Sequence, residues 1–209
     1  VRIMRVRVKV TGERVVAPGA FFVSNHLGYL DGMVLGSIFP AIFVSKSALK
    51  DWPLIGLMTQ MSGTLYIDRV QKNQLALSVG KMAGLLRNKV NVLFFPEGTS
   101  TNGEALWPFK SAFFEAPLEA YAPIVPVSIV YHRVNGAPVS RENRDLLYWY
   151  GEMTFVDHFF RLLGCRSVDV EVKVHAPVEV SGMLGQAERR KLAAQEAYAA
   201  VLSGVRLIA

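Results

Sequence analysis

Apolar and polar residues alternate with a period of two near the start of the chain, in Arg5-Val6-Arg7-Val8-Lys9-Val10, and again in Val168-Asp169-Val170-Glu171-Val172-Lys173-Val174. That period places successive side chains on opposite faces of a strand. The second run, with one wet face, predicts an edge or antiparallel strand. Residues 20–23, 41–44, 65–67, 90–95 and 124–130 add five strand-like apolar runs. Helical spacing takes over in most of the gaps between them. Over residues 71–87, Leu75, Val79, Met82 and Leu86 share one face. Residues 31–38, 115–121, 155–163 and 188–202 also read as helices, with Pro117 limiting the third of these five. The order predicts an α/β fold with a mostly parallel or mixed central sheet flanked by helices. Residues 134–144, rich in Asn, Gly, Pro and Ser, predict a surface excursion. No repeat or linker divides the chain, so residues 1–209 are expected to form one domain.

Composition narrows the function classes. A hydrophobic share of 51% suits a well-packed core, yet no run of about 18 uncharged apolar residues occurs that would span a bilayer. The net charge of +6 favours anionic partners, either phosphate groups or anionic lipid headgroups. The basic residues are scattered and carry no nucleic-acid-binding signature, so no nucleic acid is expected as partner. The single cysteine, Cys165, excludes an internal disulfide and any multi-cysteine metal site. The chain opens on Val1 almost directly into a strand, which leads us to expect an upstream segment absent from this sequence.

The candidate chemistry lies just after three of the apolar runs. Ser24-Asn25-His26-Leu27-Gly28-Tyr29-Leu30-Asp31 follows the run at 20–23 and puts a histidine and a carboxylate five positions apart. On one continuous helix those two side chains would diverge. They meet if His26 precedes the helix and Asp31 lies in its first turn, with Gly28 easing the bend. Asp31 would then accept from one ring nitrogen and leave the other facing a substrate. No Gly-x-Ser-x-Gly elbow or activated cysteine is present, so the nucleophile is expected to be the substrate's own hydroxyl. Two ligands are too few for a metal, and His132, His158 and His175 lack ligand spacing, so no metal is expected.

Two further loops suit an anion. Asp68-Arg69 follows the run at 65–67, and an arginine fork matches phosphate or carboxylate; an ion pair with Asp68 is the other reading. Glu97-Gly98-Thr99 follows the run at 90–95, where Gly98 allows a tight turn and backbone N–H groups that hold phosphate oxygens. Glu97 itself would repel a phosphate, so it is expected on a hydroxyl or on a cation such as Arg69. Lys110 offers a second positive charge. Leu54, Leu57, Met58 and Met61 have helical spacing that suits a membrane-facing helix, a core-facing helix or the wall of an acyl tunnel.

Taken in order, these motifs resemble the glycerolipid acyltransferase superfamily, whose type members are 1-acylglycerol-3-phosphate acyltransferases. The carriers are Asn25-His26 through Asp31, Gly63 to Arg69, Phe95-Pro96-Glu97-Gly98-Thr99 and Ile124-Val125-Pro126-Val127, spread over about residues 20–130. The resemblance implies a glycerol-3-phosphate acyltransferase-like fold, His26 as general base and Asp31 as its partner. It implies Arg69, Glu97, Gly98, Thr99 and Lys110 around the acyl acceptor. The implied reaction moves a fatty acyl group from a thioester of acyl carrier protein or coenzyme A, used as co-substrate, to the hydroxyl of a lysophospholipid. Phosphatidic acid is the leading product, and lyso-ornithine lipid or another lysophospholipid the rival acceptor. A non-catalytic lipid-binding protein is the rival of a different class. No tightly bound cofactor is implied. The expected location is a membrane surface, on the cytoplasmic face of the cell membrane.

Overall fold

A computed structural model describes residues 4–13, 18–46, 56, 64–67, 72–179 and 185–208. Its strands are β1 (Arg5–Gly12), β2 (Phe21–Ser24), β3 (Ala41–Lys46), β4 (Leu65–Ile67), β5 (Asn91–Phe94), β6 (Ile124–Val134), β7 (Ala137–Pro138) and β8 (Ser167–Val174). Its helices are α1 (Tyr29–Ile38), α2 (Lys72–Arg87), α3 (Glu115–Ala120), α4 (Phe155–Leu163) and α5 (Gln186–Gly204). The sheet runs β1-β8-β6-β2-β5-β3-β4, with the two-residue β7 beside β6. Strands β6, β2, β5, β3 and β4 are mutually parallel, while β8 runs antiparallel to β6 and β1 follows β8 in parallel. The sheet is therefore mixed, and the α/β expectation holds.

The central strands β2 and β5 are covered on both faces. Phe22 and Leu93 point into one core with Leu30, Val34 and Leu35 of α1 and Leu162 of α4. Phe21, Val23, Val92 and Phe94 point into the other with Val79, Met82 and Leu86 of α2 and Ala193, Ala194 and Ala197 of α5. Such strands read as continuous apolar runs because neither face meets water.

Strand β8 meets the antiparallel alternative, since it pairs antiparallel with β6, and is not an edge. It lies between β1 and β6, with Val168, Val170, Val172 and Val174 buried. Its opposite face stays polar because cross-strand pairs satisfy it: Asp169 takes Arg7, and Glu171 takes Lys9, Thr11 and His132. The edge strand is β1. The expected surface excursion is partly regular: β6 continues to Val134 and turns through Asn135-Gly136 into β7. Both turn residues have positive φ, 54° and 87°, the conformation a two-residue hairpin requires.

A bulge interrupts the β6–β8 ladder between Tyr131 and Arg133. Val127, Ile129 and Tyr131 share one core, and after the bulge Val134 rather than Arg133 returns to it. Bulges re-aim side chains in this way. Among the described residues, no helix is long and apolar enough to cross a membrane. The run from Leu54 to Met61 lies outside the described residues except for Gly56.

Candidate active site

Strand β2 ends at Ser24, where its ladder to β6 stops at Val127. Asn25 continues the link with its side chain: Ile129 N–H donates to Asn25 Oδ1 at 2.9 Å, and Asn25 Nδ2 donates to Ile129 O at 3.0 Å. That double bond pins the chain just before His26. Two residues later Gly28 precedes α1, and Asp31 falls in the first helical turn. His26 thus stands outside the helix and Asp31 inside it, so the side chains converge. Gly28 does not supply a bend, since its φ is 167° and extended. It allows close approach instead: a Cβ there would lie 2.9 Å from the backbone nitrogen of Trp149, whose N–H donates to Leu27 O.

Asp31 is completely buried and receives four donors. Its Oδ2 accepts from Leu27 N–H at 2.6 Å, from Gly28 N–H at 2.9 Å and from His26 Nδ1 at 2.9 Å; its Oδ1 accepts from Tyr131 Oη at 2.8 Å. Oδ2 thus takes three donors and Oδ1 one, which holds the carboxylate from both ends. Because an ionised carboxylate only accepts, the shared proton belongs to Nδ1, and in the neutral imidazole Nε2 then keeps a lone pair. Phe95 stacks on the imidazole with ring centroids 4.0 Å apart and planes 15° apart, fixing its tilt. The His26 side chain remains 22% exposed, so the ring is reachable from outside.

Strand β5 lies beside β2 and parallel to it, so the loop after Phe94 meets the His26 loop at the same end of the sheet. Glu97 joins them. His26 N–H donates to its Oε1 and Trp107 N–H to its Oε2, both at 2.8 Å. Burial pushes the Glu97 carboxyl up to about 7, against the opposing pull of those two N–H groups. Thr101 N–H closes the other side by donating to His26 O at 2.9 Å. Gly98, with φ at 79°, makes the turn, and its N–H goes to Phe95 O at 3.1 Å rather than facing outward. Thr99 is half-buried beside it. The exposed Lys110 is tied to this loop by its backbone N–H on Pro96 O. Further along, Tyr198 Oη donates to Leu106 O and Ile208 N–H to Gly103 O, so α5 and the residues after it brace the same loop.

Strand β4, parallel to β3, carries the chain toward the same edge, but Asp68 and Arg69 lie outside the described residues. The structure thus brings together His26, Asp31, Glu97, Gly98 and Thr99, with Lys110 at the margin. It adds Tyr131, Asn25 and Thr101, which sequence reasoning missed. Asn25 had only its place inside the first motif as a signal, and Tyr131 and Thr101 lie outside the motifs. The remaining histidines are engaged elsewhere: His132 with Glu171, His158 with Tyr29 and His175 with Ser128. Cys165 is buried, and burial pushes its thiol up. Among the described residues, no group of three or more His, Cys, Asp or Glu converges as metal ligands would.

The chain as a whole is similar to proteins named as acyltransferases. A Rhodobacter capsulatus protein named lyso-ornithine lipid O-acyltransferase is 35% identical over 213 residues, covering 98% of this chain and 72% of the relative. A Neisseria gonorrhoeae 1-acyl-sn-glycerol-3-phosphate acyltransferase is 27% identical over 154 residues, 74% of this chain and 58% of the relative. The crystal structure of the 1-acyl-sn-glycerophosphate acyltransferase of Thermotoga maritima superposes with a TM-score of 0.60 at 22% identity, over 93% of this chain and 71% of that one, and shares its fold. The family model described as Acyltransferase matches residues 7–130, which hold all four motifs and the His26–Asp31 pair. This chain therefore belongs to the Acyltransferase family and is an acyltransferase.

Proposed function

We propose that the chain moves a fatty acyl group from a thioester to the free hydroxyl of a lysolipid, with His26 as general base. The observation that carries this reading is the Nδ1–H bond to a buried, firmly held Asp31, which leaves Nε2 with a lone pair and an outward path. Nε2 takes the proton of the acceptor hydroxyl as its oxygen attacks the thioester carbonyl. The new C–O bond forms, the C–S bond breaks, and His26 returns the proton to the departing thiolate. The leaving thiol belongs to acyl carrier protein or coenzyme A. No enzyme-bound acyl group is needed, in keeping with the lack of a hydrogen bond from His26 to a serine or cysteine among the described residues.

Arg69, the Gly98–Thr99 turn and Lys110 are assigned to the acceptor headgroup. Glu97, with both oxygens on backbone N–H groups, is assigned to holding the His26 loop instead of touching substrate. Two acceptors fit the anion-seeking set. Lysophosphatidate, giving phosphatidic acid, suits Arg69 and Lys110. Lyso-ornithine lipid is favoured by breadth of likeness, since relatives of that name align over more than nine-tenths of this chain. The enzyme is expected to work on a membrane surface, at the cytoplasmic face of the cell membrane. His26→Ala should lower acyl transfer by about 10²–10⁴ while the circular dichroism spectrum stays native; full activity in that variant would sink the assignment. An acceptor screen with both thioester donors, read by lipid mass spectrometry, chooses between the headgroups.

A further inference from the structure

Asp31 has two unlike oxygens. Oδ2 takes the histidine and two backbone amides within four residues of it in sequence, whereas Oδ1 takes only a side chain one hundred positions away, the Tyr131 hydroxyl at 2.8 Å. We propose that Tyr131 is a positioning residue for acyl transfer, acting through Asp31 to hold the carboxylate in the plane that His26 Nδ1–H requires and to share its charge. The inference rests on the reading of His26 as base.

Three observations support the assignment. Tyr131 is buried to 3% exposure, packed among Ile129, Val170 and Tyr148, with Tyr148 centred 5.9 Å away. Its ring therefore has one orientation, and the hydroxyl one direction. The β6 bulge begins immediately after it, so Tyr131 is the last inward residue of β6 before the ladder shifts. Burial, then the charge of Asp31 and the hydrogen bond to it, push the phenol well above its ordinary range. The hydroxyl consequently keeps its proton and always donates. A donor that cannot ionise and cannot swing away is what a buried carboxylate needs to stay a fixed acceptor. Without it, Oδ1 would be left unsatisfied, and the plane of the carboxylate would be set from Oδ2 alone.

The effect on His26 has a direction. Taking away the Tyr131 donor concentrates negative charge on Asp31 and tightens its hold on the Nδ1 proton, while strengthening the donor does the reverse. Two variants separate these cases. Tyr131→Phe removes the hydroxyl at nearly constant volume. Site-specific 3-fluorotyrosine at position 131 keeps the bond but makes the phenol a stronger donor, and it preserves packing should the phenylalanine variant fold poorly. In resting protein, the His26 Nδ1–H proton resonance should move downfield in Tyr131→Phe and upfield with 3-fluorotyrosine. In turnover, Tyr131→Phe should lower kcat about ten- to a hundredfold with KM for either substrate unchanged. A folded Tyr131→Phe protein with native kcat, or an Nδ1–H resonance that ignores both changes, overturns the proposal. Because the resonance is read without substrate, it tests Tyr131 separately from His26→Ala, whose retained activity would remove the base assignment on its own account.

Discussion

His26 owes its orientation to its neighbours more than to itself. Its ring is held through Nδ1 by Asp31 and flat by Phe95, and its backbone is held by Glu97 and Thr101. Asp31→Asn should keep KM near native and slow turnover, because an amide that turns its NH2 toward Nδ1 imposes the wrong tautomer; a steady-state comparison checks the split. Glu97 has a pH signature of its own. Its folded value near 7 lies above the ordinary 4.5, so the folded state holds the proton more tightly than the unfolded state. That difference favours folding fully below about pH 4.5 and is lost as pH rises to about 7, an effect on the order of 3 kcal/mol. Urea midpoints at several pH values should show this fall in the wild type and not in Glu97→Gln. The His26–Asp31 pair was legible in the sequence because five positions separate them and a glycine marks the junction. Tyr131 was not, because a tyrosine in a strand reads as ordinary β propensity and its partner lies one hundred residues away. Glu97 was legible as a member of its motif but not as a backbone clasp, since its sequence context says nothing about which N–H groups approach it.

Among the elements, periodicity marked the strands and helices well and the pairings poorly. The runs at 20–23, 65–67 and 124–130 all became strands, and the helical spacing at 71–87 became α2 with its four marked residues on or against one core. The position of β8 between β1 and β6 was out of reach, because its wet face is satisfied by Arg7, Lys9 and His132 from strands far away in sequence. The junction between β2 and α1 depends on one missing methyl group. Gly28→Ala would drive a Cβ against the Trp149 backbone, so either the 147–150 segment or the His26 loop must shift. We expect a loss of about 1–3 kcal/mol in stability together with reduced kcat, measured by denaturant titration and steady-state assay.

At the scale of the whole molecule, parallel pairing of β2, β5, β3 and β4 delivers successive loops to one edge of the sheet, where open α/β sheets place their ligands. The net charge of +6 gives the same molecule a general attraction for anionic surfaces. Flotation with vesicles rich in anionic lipid should recover more protein than flotation with zwitterionic vesicles, and added salt should narrow the gap. Equal recovery from both would remove charge as the source of membrane affinity.

The bracing of the Glu97 loop by Tyr198 and Ile208 has a consequence for the order of synthesis. A ribosome releases the His26 loop early, yet Tyr131, Trp149 and the residues after α5 emerge much later. A nascent chain thus carries every motif residue long before it holds a working site. On the proposed mechanism, hydroxyl activation waits until Tyr131, Trp149 and Ile208 have joined the fold.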